Sequence, residues 1–271
     1  MSRENQGEDI TKKRVIYRIP DMDRVTMRRD VEYRATDAGA LTMDIFYPPD
    51  SKSEARAPAL VFVLGYPDPG FQRMLGCKQK EMESYISWGQ LVAALGLVAI
   101  TYTNMEPEAD IRALLRHIRE DAASLGIDEN RIGVWACSGN VPNALSLLTA
   151  EASGYLKCAV LCYGYMLDLG EETGVAEAAS QWKFVNPCAG RTVSDLAQNI
   201  SLFIARAGED RTLHLNETID RFVIEALNCN LPVTLANHSA GSHAFDLLED
   251  NEASRRIIKQ ILAFIQYHLM A

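Results

Sequence analysis

The chain has 271 residues, of which 48% are hydrophobic and 23% charged, enough to bury a large core in one sizeable domain or two small ones. Its formal net charge of −9 argues against nucleic-acid binding through a broad basic surface. No apolar run approaches the roughly 18–20 residues that cross a bilayer, and the N-terminus lacks the apolar stretch of a signal peptide, so no membrane partner and a cytoplasmic location are expected.

The first dozen residues, MSRENQGEDITK, read as a polar tail, and residues 1–30 as an N-terminal arm ahead of one domain over 31–271. Positions 1–34 hold nine Lys/Arg against seven Asp/Glu, so the acid excess lies further on. Val31–Ala35 and Leu41–Tyr47 read as paired strands around the turn at Asp37–Gly39, and Pro48–Pro49 ends the second. ALVFVL, Ala59–Leu64, is apolar throughout, as in a strand buried on both faces. A helix over Met82–Leu95 and a strand over Leu97–Tyr102 follow. Apolar residues at helical spacing mark Asp110–Leu125, which Gly126 caps. Next come a strand at 131–137, a helix from about 141 and strands at Leu156–Tyr163 and Ser201–Ala205. A helix at Glu217–Leu227, a strand at Pro232–Ala236 and a helix at Glu252–Leu269 complete the series. This alternation predicts an α/β fold: a mainly parallel sheet with helices on both faces and an antiparallel N-terminal edge hairpin. Met166–Ile200 breaks the rhythm and reads as a small lid or substrate-facing insertion.

Six cysteines (Cys77, Cys137, Cys158, Cys162, Cys188 and Cys229) form no CxxC pair, and reduced, mostly buried thiols are expected. The chemistry concentrates instead in RIGVWACSGNVP, Arg131–Pro142, where an apolar strand ends abruptly in small and polar residues. A nucleophile on a sharp strand-to-helix turn needs small neighbours two residues before and after it. Centred on Ser138 those neighbours are Ala136 and Asn140; centred on Cys137 they are Trp135 and Gly139. Strand register and the bulk of Trp135 favour Ser138. The bland alternative is a plain turn with Asn140 capping the helix.

A serine nucleophile also needs a base and a carboxylate that orients it. SLFIARAGEDR ends in a turn bearing Glu209 and Asp210. PVTLANHSAGSHAFD carries His238 near its strand end and His243 in a Gly-Ser-His turn. These side chains would emerge at the C-terminal edge of the sheet, where open α/β folds place their sites. His117 and His268 read as surface or packing residues.

From about residue 31 to the end, the chain resembles the α/β-hydrolases of the dienelactone-hydrolase and small-carboxylesterase type. RIGVWACSGN is similar to the family's strand and nucleophile elbow, ARAGEDR to its acid turn, AGSHAFD to its histidine loop and LTMDIFYPPD to an early strand. Ala136, Asn140 and the lack of an HGGG tripeptide depart from the pattern. The resemblance implies a serine hydrolase with Ser138, Asp210 and His243 as catalytic residues and no metal or organic cofactor. It also implies an oxyanion hole from the backbone N–H groups of Gly139 and of Tyr66, in the loop LGYPDPG. Asp68, Arg73, Trp182 and Phe184 are candidates to line the substrate site. The expected substrate is a small-molecule carboxylic ester, with a lactone or small amide as the alternative bond. A ligand-binding protein without catalysis is the alternative of another class. An exposed edge strand or the last helix offers a surface for a homodimer.

Overall fold

The computed structural model describes residues 9–50, 56–149, 151–171 and 173–270. An eight-stranded sheet runs through it: β1 (Thr26–Thr36), β2 (Gly39–Tyr47), β3 (Ala57–Phe62), β4 (Val98–Tyr102), β5 (Ile127–Cys137), β6 (Leu156–Cys162), β7 (Ser201–Ala207) and β8 (Val233–His238). The spatial order is β1-β2-β4-β3-β5-β6-β7-β8. β1 and β2 pair antiparallel, β2 meets β4 antiparallel, and every later pair is parallel. The central strands β3, β4 and β6 are nearly all apolar because helices cover both their faces.

The helices are α1 (Asp68–Leu75), α2 (Glu83–Ala93), α3 (Pro107–Glu120), α4 (Val141–Leu145), α5 (Val175–Trp182), α6 (Leu215–Asn228), α7 (Phe245–Leu248) and α8 (Glu252–Met270). Trp135 of β5 packs on Trp88 of α2, and Gly133, two residues earlier on the same face, lies under Leu269 of α8. A Cβ at Gly133 would come within 3.1 Å of that leucine, so the bare backbone lets α8 approach the sheet.

Several boundaries differ from the sequence reading. The sheet starts at Thr26, not Val31, because the early part of β1 (TMRRD) is a charged edge with no apolar alternation to reveal it. Residues 1–8 lie outside the described residues, but Ile10–Lys12 form a 3-10 turn with Thr11 buried. From there the arm runs as a strap over α2: Val15 and Met22 are buried, and the Val15 N–H donates to Ser87 Oγ. The end of the loop LGYPDPG instead begins α1, since a proline in the first helical turn has no N–H to lose. The helix expected from about 141 ends at Leu145. Its continuation tightens into turns, and the Leu148 carbonyl leaves the helix to accept from Ala197 N. Residues 166–200 contain α5, whose N-terminal approach is held by Asp168 accepting from Thr173.

Candidate active site

Four chain segments leave the C-terminal ends of β3, β5, β7 and β8 and converge. At the end of β5, Ser138 adopts φ 55°, a left-handed conformation costly for a non-glycine residue and found where surrounding structure enforces it. The enforcement is visible. A Cβ at Gly164 would lie 2.7 Å from the Ser138 carbonyl oxygen, so β6 and β5 can close on the turn only with glycine there. Ser138 Oγ sits 3.0 Å from His243 Nε2, and His243 Nδ1 sits 2.6 Å from Asp210 Oδ2.

The Asp210 side chain is fully enclosed, whereas that of His243 is 35% exposed and open to a ligand. Burial works to raise the Asp210 pKa, but the hydrogen bond and charge of His243, with bonds from Thr212, hold it below the usual carboxylate range. An ionised Asp210 fixes the imidazole proton on Nδ1 and leaves Nε2 to accept the Ser138 proton.

The competing candidates stand elsewhere. Cys137 Sγ faces the buried Tyr85 hydroxyl at 4.0 Å, and burial pushes its thiol up to about 12, which suppresses the thiolate. The Glu209 side chain is exposed beside the site while its backbone N–H bonds Gly241. His238 is buried, its Nε2 3.0 Å from Ser254 Oγ and its ring against Phe245. Asp68 does not line the site: it is buried, and its Oδ2 accepts from Asn104 N. Burial raises the Asp68 carboxyl to about 6, and its other oxygen has no hydrogen-bond partner.

The loop after β3 is pinned atom by atom. Leu64 N–H donates to the Tyr102 hydroxyl, and the Leu64 carbonyl accepts from Asn143 Nδ2. Gly65 N–H donates to Asn140 Oδ1 at 2.6 Å, and the Gly65 carbonyl accepts from Val185 N. Asp68 N–H reaches the Asn104 carbonyl. Between them, among the described residues, the Tyr66 N–H has no acceptor. Gly139, whose N–H follows the nucleophile position, lies against this loop: a Cβ at Gly65 would come 2.7 Å from the Gly139 carbonyl oxygen. Asn140 does not cap α4 with its side chain. Its amide donates to Tyr85 while its oxygen holds Gly65. Neither Asn140 nor Asn143 carries a motif that would have marked this role; the plus-two asparagine showed only as a departure from glycine.

Behind His243 lies a second buried carboxylate. Asp246 accepts from Tyr163 OH at 2.6 Å and Trp88 Nε1 at 2.8 Å, and its backbone carbonyl accepts from Ile16 N in the strap. The Tyr163 ring stands edge-on to the imidazole, with centroids 5.0 Å apart. Beside His243 opens a cavity of about 610 Å³ lined by residues including Tyr165, Trp182, Arg211, His214 and Ser242. Trp182 therefore borders the site. Phe184 instead packs between Tyr66 and Tyr165, with centroids at 5.9 and 5.4 Å.

No protein-family model and no curated protein matches the chain. Solved structures do. A thermophilic esterase from the planctomycete Thermogutta terrifontis superposes with TM-score 0.66 at 18% identity, covering 92% of this chain and 94% of its own. The same esterase phosphonylated by sarin matches with TM-score 0.61 at 17% identity, over 92% and 98% of the two chains. A fungal esterase from Rhizomucor miehei gives TM-score 0.70 at 17% identity, over 91% and 84%. The fold is the α/β-hydrolase fold. Within it, the Ser138 turn occupies the strand-to-helix elbow after β5, and the turns bearing Asp210 and His243 follow β7 and β8. Among the described residues no helix is long and apolar enough to cross a membrane.

Proposed function

We propose that the protein is a serine hydrolase that cleaves a carboxylic ester of a small molecule through an acyl-enzyme. The observation that carries this reading is the hydrogen-bonded chain from Ser138 Oγ through His243 to the enclosed Asp210. Ser138 Oγ attacks the acyl carbon as its proton passes to His243 Nε2. Asp210 holds the ring and stabilises the imidazolium. The carbonyl oxygen, now negative, is received by the N–H groups of Tyr66 and Gly139, donors that need no reorganisation because their loops are already fixed. The carbon–oxygen bond to the alcohol then breaks, and Nε2 returns the proton to the leaving oxygen. Water, deprotonated by His243, attacks the acyl-enzyme and releases the acid and free Ser138.

The esterase structures that share the fold, one of them phosphonylated by sarin, support ester chemistry at such a site. The lactone alternative of the dienelactone-hydrolase type, resting on a cysteine nucleophile, is disfavoured by the buried, protonated Cys137. A fluorophosphonate, which reacts with an activated serine, tests the reading. Labelling is expected at Ser138 and is expected to disappear in His243→Ala. A folded protein that takes no label would overturn the enzyme assignment.

A further inference from the structure

From the cavity beside His243 we infer which part of the ester goes where, and hence the substrate class: a short-chain acid esterified to a polyhydroxylated alcohol, a sugar in chemical terms. This rests on the hydrolase reading above. The leaving oxygen must take its proton from His243 Nε2, so the alcohol has to lie on the imidazole side of Ser138. That is where the 610 Å³ cavity lies, bounded by His243, Asp210 and Ser242, a volume within the range that encloses small ligands.

Its lining selects chemistry. Trp182 is 48% exposed and lines the cavity, an aromatic surface suited to the C–H face of a sugar. Around it stand Glu177, Glu209 and Arg211, and among the described residues none of the three has an ion-pair partner. Two carboxylates against one guanidinium disfavour an anionic leaving group. A neutral polyol donates to the carboxylates and accepts from the guanidinium, so its hydroxyls satisfy both.

The acyl side is different. Tyr66, Phe71, Phe184 and Tyr165 form one aromatic run, with Phe184 buried and stacked on Tyr165. A Cβ at Gly139 would meet Phe184 Cδ1 at 2.7 Å, so this wall stands directly against the nucleophile turn. With the oxyanion at Gly139 and Tyr66 and the alcohol at His243, the acyl chain is left the direction this wall closes.

The test uses the full chain, after fluorophosphonate labelling has shown that Ser138 is competent. kcat/KM is measured on methyl acetate and methyl octanoate, then on an acetylated methyl glucoside and hexyl acetate. The acetyl member of the first pair and the glucoside of the second should each be preferred by about tenfold or more, the scale of discrimination pocket contacts deliver. Trp182→Ala should raise KM for the glucoside and shrink the second ratio, and Phe184→Ala should shrink the first. A labelled enzyme that prefers methyl octanoate, or hexyl acetate over the glucoside, overturns the assignment of the subsites while the hydrolase reading stands. A folded protein that takes no label overturns both.

Discussion

At the scale of single residues, the most informative position is Asn140, where the elbow pattern calls for glycine. Its side-chain oxygen takes the Gly65 N–H and so anchors the loop that carries Tyr66, the proposed oxyanion donor. Asn140→Gly would give the glycine of the elbow pattern the chain resembles and remove the anchor. Because loss of a whole oxyanion donor costs roughly a hundredfold or more and this variant only loosens one, kcat on an activated acetate should fall about tenfold with KM little changed. A boronic-acid transition-state analogue should weaken by the same factor, and unchanged kcat with unchanged analogue affinity would refute the role. Asp68, the first residue of α1, gives a pH prediction. Burial raises its folded carboxyl from 3.8 to about 6, so folding favours the protonated form. That contribution to stability is fully present below the unfolded value and is lost as pH rises through about 6. Asp68→Asn removes the titration. By urea unfolding the variant should exceed the wild type at pH ~8 by up to on the order of 3 kcal/mol, and the two should converge near pH ~4. An equal difference at both pH values would show that Asp68 does not carry the shift. Asp210 contributes with the opposite sign, its depressed pKa making folding weaker on acidification, but it is common to both proteins.

At the scale of elements, much of the architecture was legible because buried parallel strands announce themselves. ALVFVL, RIGVWAC and SLFIARA are apolar runs flanked by turn residues; Ser138 follows the second and Asp210 the third within a few positions, while His243 follows the half-exposed strand β8, and their shared edge of the sheet could be read from that order. The anchors of the β3 loop were not legible. Asn140 to Gly65 spans 75 positions and Asn143 to Leu64 spans 79, and nothing local to an asparagine says which distant carbonyl or amide it will meet. The strap was missed for another reason: its first residues are polar, and its few buried side chains, Val15 and Met22 among them, are too widely spaced to show a period. The closeness of the β3 and β5 loops is itself testable. Gly65→Ala puts a Cβ 2.7 Å from the Gly139 carbonyl oxygen and 2.9 Å from Asn140 Cα, both backbone atoms that cannot swing away. The two loops must part, so turnover should fall by about a hundredfold, as expected when reacting groups are displaced by around an ångström. Thermal unfolding of the same variant separates this from global loss of fold: a protein that melts near the wild-type temperature yet turns over normally would show that the contact is not needed.

At the scale of the whole molecule, Asp246 is where distant parts of the chain are tied to the histidine loop. Trp88 comes from α2, Tyr163 from the end of β6, and Ile16 from the N-terminal strap, and all three donate to this one residue, three positions after His243. Asp246 is 2% exposed, and burial raises its carboxyl above the usual range, so the protein tolerates an unfavourable group in order to join these segments. Asp246→Ala leaves the Trp88 N–H and the Tyr163 hydroxyl buried without acceptors. At about 1–3 kcal/mol for each such group, the loss should be about 3 kcal/mol or more, a large share of the stability of a single domain. Asp246→Asn separates connection from charge. Its side-chain oxygen can accept from Trp88, and its amide can donate to a Tyr163 hydroxyl that rotates to accept, so both contacts persist in a neutral form. The Asn variant should keep most of the unfolding free energy that the Ala variant loses. Hydrogen exchange gives the spatial readout: in Asp246→Ala, protection should fall together in the strap around Ile16 and in residues 241–248, while β3 and β4 stay protected. If only the histidine loop loosens and the strap does not, the two are held independently, and Asp246 serves its own loop alone.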